Sequence, residues 1–216
     1  IELVGFISAL FAYGNRKVFI PKLYELFKKM DSPVNYIKNG NFSNLNGFNY
    51  RFAKENDILE ILIILSKLYK ESNLQELFKY GYDTKHSVIG MLQVVTDYFY
   101  SSASNNIGDG FYFMLANPKK KGAMKRLNMY LRWMVRKSEV DFGIWDFIPK
   151  SELLIPLDSH VAKISREMNL LNRKSNAFKA ALEITFGLDT DGGDEADLNQ
   201  AHKATYNWFK RFVLPY

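Results

Sequence analysis

Two side chains in this sequence could do covalent chemistry together. They are Lys125, in Gly122-Ala123-Met124-Lys125-Arg126-Leu127, and Asp158, in Ile155-Pro156-Leu157-Asp158-Ser159-His160-Val161. An amine that gives up its proton is a nucleophile. A carboxylate held beside a reacting carbon stabilises positive charge developing there. Each residue also has an ordinary occupation: an aspartate at the head of a helix satisfies orphan amides, and a lysine in a basic helix sits on the surface or against phosphate. Taken singly, both occupations stay open for both residues. His160, two positions beyond Asp158, could orient the carboxylate, touch phosphate or be a structural histidine, and no catalytic role is assigned to it.

Lys125 lies in an uneven charge distribution. The net charge of the chain is +6. Between Gly110 and Ser138 stand Lys119, Lys120, Lys121, Lys125, Arg126, Arg132, Arg136 and Lys137 without an acidic residue among them. A solvated helix face and a polyanion-binding face are both compatible with such a stretch.

The elements that must carry these residues are helical. Leu3, Val4, Ile7, Leu10 and Phe11 fall at helical spacing, and Gly14-Asn15 reads as a stop and restart. A second helix continues through Met30, with Pro21 expected in its first turn. Residues 31–57, with six Asn between Asn35 and Asn49, read as a long irregular excursion. Asp57 is expected to cap a third helix through Ile58, Ile61, Leu62, Leu65 and Leu68, and a fourth carries Val88, Met91, Leu92, Val95 and Phe99. Then come a short helix at 111–116, a turn at 117–122 and a helix at 123–136, that is, a helix, a hairpin and a helix. Tyr130 and Trp133 on the last of these read as core. Another short helix is expected at 141–147, then an extended run into Pro156. Asp158 should open a helix that turns Val161, Ile164, Met168 and Leu171 inward, and two more helices are expected at 178–184 and 198–212. No alternation persists long enough for a sheet, so the fold is expected to be all-α, a two-lobed multi-helix bundle.

At the hairpin and the aspartate the sequence resembles the helix-hairpin-helix superfamily of DNA glycosylases, of which endonuclease III is a member. Pro156-Leu157-Asp158-Ser159-His160-Val161 is similar to its P-V-D-T-H-type motif, whose aspartate is catalytic. Leu115 to Leu127 is similar to its hairpin, with Lys125 where bifunctional members carry the Schiff-base lysine. Lys120 to Arg173 closely resembles an uncharacterised bacterial family of unknown function, distantly related to the archaeal 8-oxoguanine DNA glycosylases. The likeness covers most of the chain. Ala123 replaces the usual second glycine of the hairpin. The span from Lys125 to Asp158, 158 minus 125 or 33 positions, is closer to the archaeal group than to endonuclease III. In place of the bacterial family's Tyr-Asp-Phe-Ala-type ending stands the acidic run Asp189 to Asp197.

The resemblance implies one domain over residues 1–216, with a hairpin at about 111–136 and a catalytic aspartate segment at about 153–171. It implies base-excision repair: a damaged base flips out of double-stranded DNA, Asp158 stabilises an oxocarbenium-like transition state, and Lys125 attacks C1′ to give a Schiff base from which β-elimination cuts the strand. A free lysine titrates near 10.4, so burial and neighbours such as Arg126 and Lys121 are expected to help it lose its proton. Lys119, Lys120, Lys121, Gly122, Arg126 and His160 are expected at the DNA, and Tyr13, Asn15 and Arg16 in the base pocket or at the point of intercalation. A non-catalytic DNA-binding or lesion-sensing module on the same scaffold is the alternative.

Composition narrows the remaining options. With no cysteine, disulfides, thiolate zinc sites and cysteine-held iron–sulfur clusters are excluded. His86, His160 and His202 lack paired-ligand spacing, and the run Asp189 to Glu195 lacks the order of a calcium loop, so no metal is assigned; a monovalent cation at the hairpin is implied by the family alone. No run reaches the ~20 apolar residues needed to span a bilayer. A soluble cytoplasmic, nucleoid-associated monomer is expected, starting upstream of Ile1.

Overall fold

The computed structural model describes residues 1–117 and 122–187. It is all-helical, a multi-helix bundle in which the chain divides into two compact units, Ile1–Asn117 and Pro118–Tyr216. Lys119, Lys120 and Lys121, the acidic run 189–197 and the helix expected at 198–212 lie outside the described residues. No helix among the described residues is long and apolar enough to cross a membrane.

In the first unit α1 (Glu2–Phe11) is largely buried, with Leu3, Phe6, Ile7, Leu10 and Phe11 all in the core. Phe6 stacks on Phe99 at 5.6 Å between ring centroids and meets Phe78 edge-on at 6.5 Å. Such aromatic pairs add to the stabilisation from burial. Asn15 restarts the chain as α2 (Arg16–Met30), accepting a hydrogen bond from the Lys17 amide at 2.9 Å. Because the cap lies this early, Pro21 falls inside the helix and not in its first turn. It therefore removes one intrahelical donor from a helix that buries only Leu26 and Met30.

The stretch 31–57 is less irregular than its asparagines predict. Pro33 starts α3 (Pro33–Asn39), and Gly40 ends it in the left-handed region at φ 68. Ile37 anchors this helix in the core, where burial outweighs the turn preference of its neighbours. Asp57 is not the cap of α4 (Glu55–Glu71) but its third residue. One carboxylate oxygen accepts from the Lys54 amide at 2.9 Å and the other from the Gly108 amide at 2.7 Å. Glu60, one turn on, accepts from the Ser104 amide and hydroxyl at 2.7 and 2.9 Å. Two buried acids thus tie the 104–108 loop to α4.

A helix absent from the sequence reading, α5 (Leu74–Lys85), is capped by Asn73 and packs on α6 (Val88–Ser102). Gly81 allows the close approach: a Cβ there would lie 3.2 Å from the Met91 carbonyl oxygen. The unit ends with α7 (Asp109–Met114), whose Gly110 lies against Asp57 and the backbone of Phe52 and Ala53.

In the second unit α8 (Lys125–Val135) buries Leu127, Tyr130, Leu131 and Met134, and Trp145 meets Tyr130 edge-on at 5.3 Å. Tyr130 is core as expected, whereas Trp133 is half-buried. The helix expected at 141–147 does not form. The chain instead folds back over the end of α8, the Phe142 and Gly143 amides donating to the Trp133 carbonyl and the Trp145 amide to that of Met134. These bonds satisfy carbonyls that a helix end leaves open. Gly143, at φ 60, permits the turn: a Cβ would meet the Arg136 carbonyl oxygen at 2.9 Å.

Downstream, α9 (Ser159–Glu167) and α10 (Phe178–Phe186) share a small core of Leu157, Ala162, Leu171, Ala180, Ala181 and Ile184. The inward stripe of α9 is Ala162 and Ser165, one residue along from the expected Val161 and Ile164. Val161 is half-buried, while Ile164 and Met168 are 42% and 56% exposed. Leu171 is buried, but it arrives after the helix has ended and the chain has turned at Asn169, φ 56. Arg166 donates to the Arg173 and Lys174 carbonyls at 2.8 and 2.9 Å and so fastens that connection.

Candidate active site

Asp158 is the N-cap of α9. Its Oδ1 accepts from the His160 amide at 3.0 Å and the Val161 amide at 2.9 Å, which fixes the carboxylate plane. The approach is extended, as the proline predicts. It is anchored by the Ile155 amide donating to Thr185 Oγ1 of α10 at 3.0 Å and by buried Leu157.

Lys125 is the first residue of α8. Met124 before it adopts φ 47 with its side chain buried, a conformation that a methionine holds only when its surroundings impose it. Asn128 closes the turn from inside, donating from Nδ2 to the Ala123 carbonyl at 3.2 Å. The head of α8 has neither a side-chain cap nor an acidic residue in its first turn. A lysine here stands at the end of the helix dipole that disfavours a cation.

The compensating charge comes from α9. Lys125 Nζ lies 2.9 Å from Asp158 Oδ2, with the two side chains 36% and 35% exposed. The Asp158 carboxylate therefore has one oxygen held by two amides and the other facing the ammonium. Burial pushes its carboxyl up, but the Val161 amide, Lys125 and the His160 amide together outweigh this and hold it below its ordinary value of 3.8. The carboxylate is ionised at neutral pH and can pair with a cation.

A carboxyl group whose folded value is depressed stabilises the fold above its unfolded value and loses that contribution as pH falls through the folded one. The thermal midpoint of the wild type is therefore expected to drop faster than that of Asp158→Asn below about pH 4. Parallel acid titrations of the two proteins would refute this.

The remaining expected site residues are distributed as follows. Gly122 and Arg126 are half-buried beside Lys125, whereas the His160 side chain is exposed and only its backbone amide serves Asp158. Tyr13, Asn15 and Arg16 belong to the first unit. The Tyr13 hydroxyl donates to the Tyr50 carbonyl at 2.8 Å, Asn15 caps α2, and Arg16 is exposed. The basic stretch is less open than its composition implies. Buried Asp141 lies 3.3 Å from Arg132 Nε and 3.9 Å from Arg136 Nε. Met124, Asn128 and Thr185, which position the pair, were not legible as functional residues. An asparagine within an apolar helical stripe was the one signal of that kind. Among the described residues no three acidic or histidine side chains group to hold a metal ion.

Residues 1–191 match the family described as Protein of unknown function (DUF2400), and the chain belongs to that family. No curated protein and no solved structure matches it.

Proposed function

We propose that this protein is a base-excision DNA glycosylase with AP lyase activity, acting on double-stranded DNA that carries a damaged base. The observation that carries the reading is the 2.9 Å pair between Lys125 and Asp158, formed by the opening residues of two different helices. The ammonium stands at the end of a helix dipole that disfavours a cation, behind a left-handed methionine, and its counter-charge comes from a separate helix. Such departures concentrate at functional sites.

Lys125 as free amine attacks C1′, the glycosidic bond breaks, and the base departs with the bonding electrons and a proton. Asp158 stabilises the positive charge that builds on the sugar. Ring opening gives a Schiff base; loss of a 2′ proton expels the 3′ phosphate and cuts the strand, and water then releases the lysine. Backbone amides and cations of the 119–126 region would bind phosphates, making affinity steeply salt-dependent without reading sequence. The archaeal resemblance makes 8-oxoguanine the first lesion to try.

The test is incubation of the full chain with duplexes bearing 8-oxoguanine, alkylated purines, oxidised pyrimidines, uracil or an abasic site, with borohydride present to reduce any imine. A covalent protein–DNA adduct on at least one of them is the expected result. Salt-dependent binding with no adduct and no strand cut on any would leave the non-catalytic DNA-binding reading. No binding at all would leave neither.

A further inference from the structure

The first unit presents one aromatic side chain in a way that burial does not explain. Tyr50 and Ala53 exchange both backbone hydrogen bonds at 2.9 Å, closing a tight turn with Arg51 and Phe52 at its tip. Arg51 is held at φ 52, a conformation that costs a residue with a side chain and that a glycine would take freely. The base of the turn is locked. Tyr50 and Ala53 are buried, Tyr13 and Tyr50 exchange hydroxyl-to-carbonyl hydrogen bonds, and Gly110 lies so close that a Cβ would come 2.5 Å from the Phe52 carbonyl oxygen.

On this rigid base Phe52 stands 60% exposed. Its ring is steadied by the edge of an aromatic pair with Phe113 at 5.2 Å and lies nearly parallel to Tyr13, at 17°. The Arg51 guanidinium lies 5.5 Å from the Phe52 ring centroid and crosses the backbone of Gly14, where a Cβ would strike its Nη1 at 2.4 Å. Gly14 at φ 80 thus leaves room for that side chain. Residues 13–18 and 50–54 contribute Arg16, Lys17, Arg51 and Lys54 and no acid.

From this geometry we infer that the Tyr50–Ala53 turn binds an unpaired nucleotide of DNA, Phe52 stacking on its base and Arg51 taking an adjacent phosphate. The inference rests on the proposed DNA substrate and adds the place where a base outside the helical stack is received. A rigid aromatic loses little freedom on stacking, and every base offers a π-face, so the contact is tolerant of sequence. Paired bases keep their faces covered by their neighbours, so the contact selects DNA with a base out of the stack. A guanidinium beside the ring supplies the fork that phosphate oxygens accept.

The experiment measures binding of the full chain to three labelled DNAs of one length: a paired duplex, the same duplex with a short bulge, and a single strand. Phe52→Ala is expected to weaken the bulged duplex and the single strand by about tenfold, leave the paired duplex within about twofold, and be rescued by Phe52→Trp. Arg51→Gly, which relaxes the turn and so does not threaten the fold, should lower the salt dependence of single-strand binding by about one phosphate contact. Equal effects of Phe52→Ala on all three DNAs, or none, would overturn the inference. The two readings separate cleanly: an adduct on Lys125 with unchanged Phe52→Ala binding sinks this one alone, and lost bulge preference without any adduct sinks only the catalytic one. Failure to bind any of the DNAs removes both.

Discussion

Lys125→Ala is expected to abolish the borohydride-trapped adduct and to reduce strand cutting by on the order of a thousand-fold or more, as loss of a covalent nucleophile does. The reason is specific to the amine. A Schiff base needs a primary amine, whose two N–H bonds are exchanged for a double bond to carbon while the protons leave with the departing groups, and Lys125 is the amine-bearing residue that sits 2.9 Å from Asp158. The fold should tolerate the change. The ion pair is about a third exposed on each side, and pairs of that kind contribute at most about 1 kcal/mol. Removing a cation from the head of a helix works in the opposite direction. Lys125→Arg sharpens the result, because it keeps a positive charge facing Asp158 while a guanidinium does not deprotonate. It should bind DNA as well as the wild type and give no adduct. An adduct that survives either substitution would place the chemistry elsewhere.

How far the sequence could be read depended on whether local or distant groups decided each element. The helices α1, α4, α6 and α8 were legible because their buried residues recur every three or four positions, and burial of such a stripe is what fixes a helix. Asp158 was legible as a helix opener because a cap is a contact between near neighbours. By contrast α5 was missed although Asn73 and Glu76 stand at capping-box spacing. Exposed Lys79 and Tyr80, between buried Phe78 and Gly81, blur its stripe. The segment 141–147 was misread because the carbonyls of Trp133 and Met134, nine to eleven residues back at the end of the preceding helix, compete for its amides. In α9 the small residues Ala162 and Ser165 face inward, so the larger Val161, Ile164 and Met168 gave a stripe one residue out of phase.

The same distinction holds at the candidate site. That Lys125 and Asp158 each begin a helix was readable; that they meet was not. Their meeting depends on Met124 turning left-handed and on Thr185 of α10 holding the segment before Pro156. The openness of the basic stretch was overstated for a related reason, since Asp141 lies three residues beyond the window in which no acid occurs and folds back onto Arg132 and Arg136.

Asp158→Asn and Asp158→Ala together separate the two occupations of that residue. Asparagine caps a helix about as well as aspartate, so the Asn variant should keep the hydrogen bonds from the His160 and Val161 amides and unfold within about 0.5 kcal/mol of the wild type. Alanine leaves those amides without their acceptor and should cost about 1 kcal/mol. If the carboxylate stabilises charge on the sugar, both variants lose base excision by about 100-fold or more despite their different stabilities, since only the charge is missing from both. A DNA-binding scaffold predicts another pattern, in which the Asn variant matches the wild type in every assay and the Ala variant differs only in stability. Full excision by Asp158→Asn would thus reduce Asp158 to a cap and leave its pairing with Lys125 as a surface ion pair.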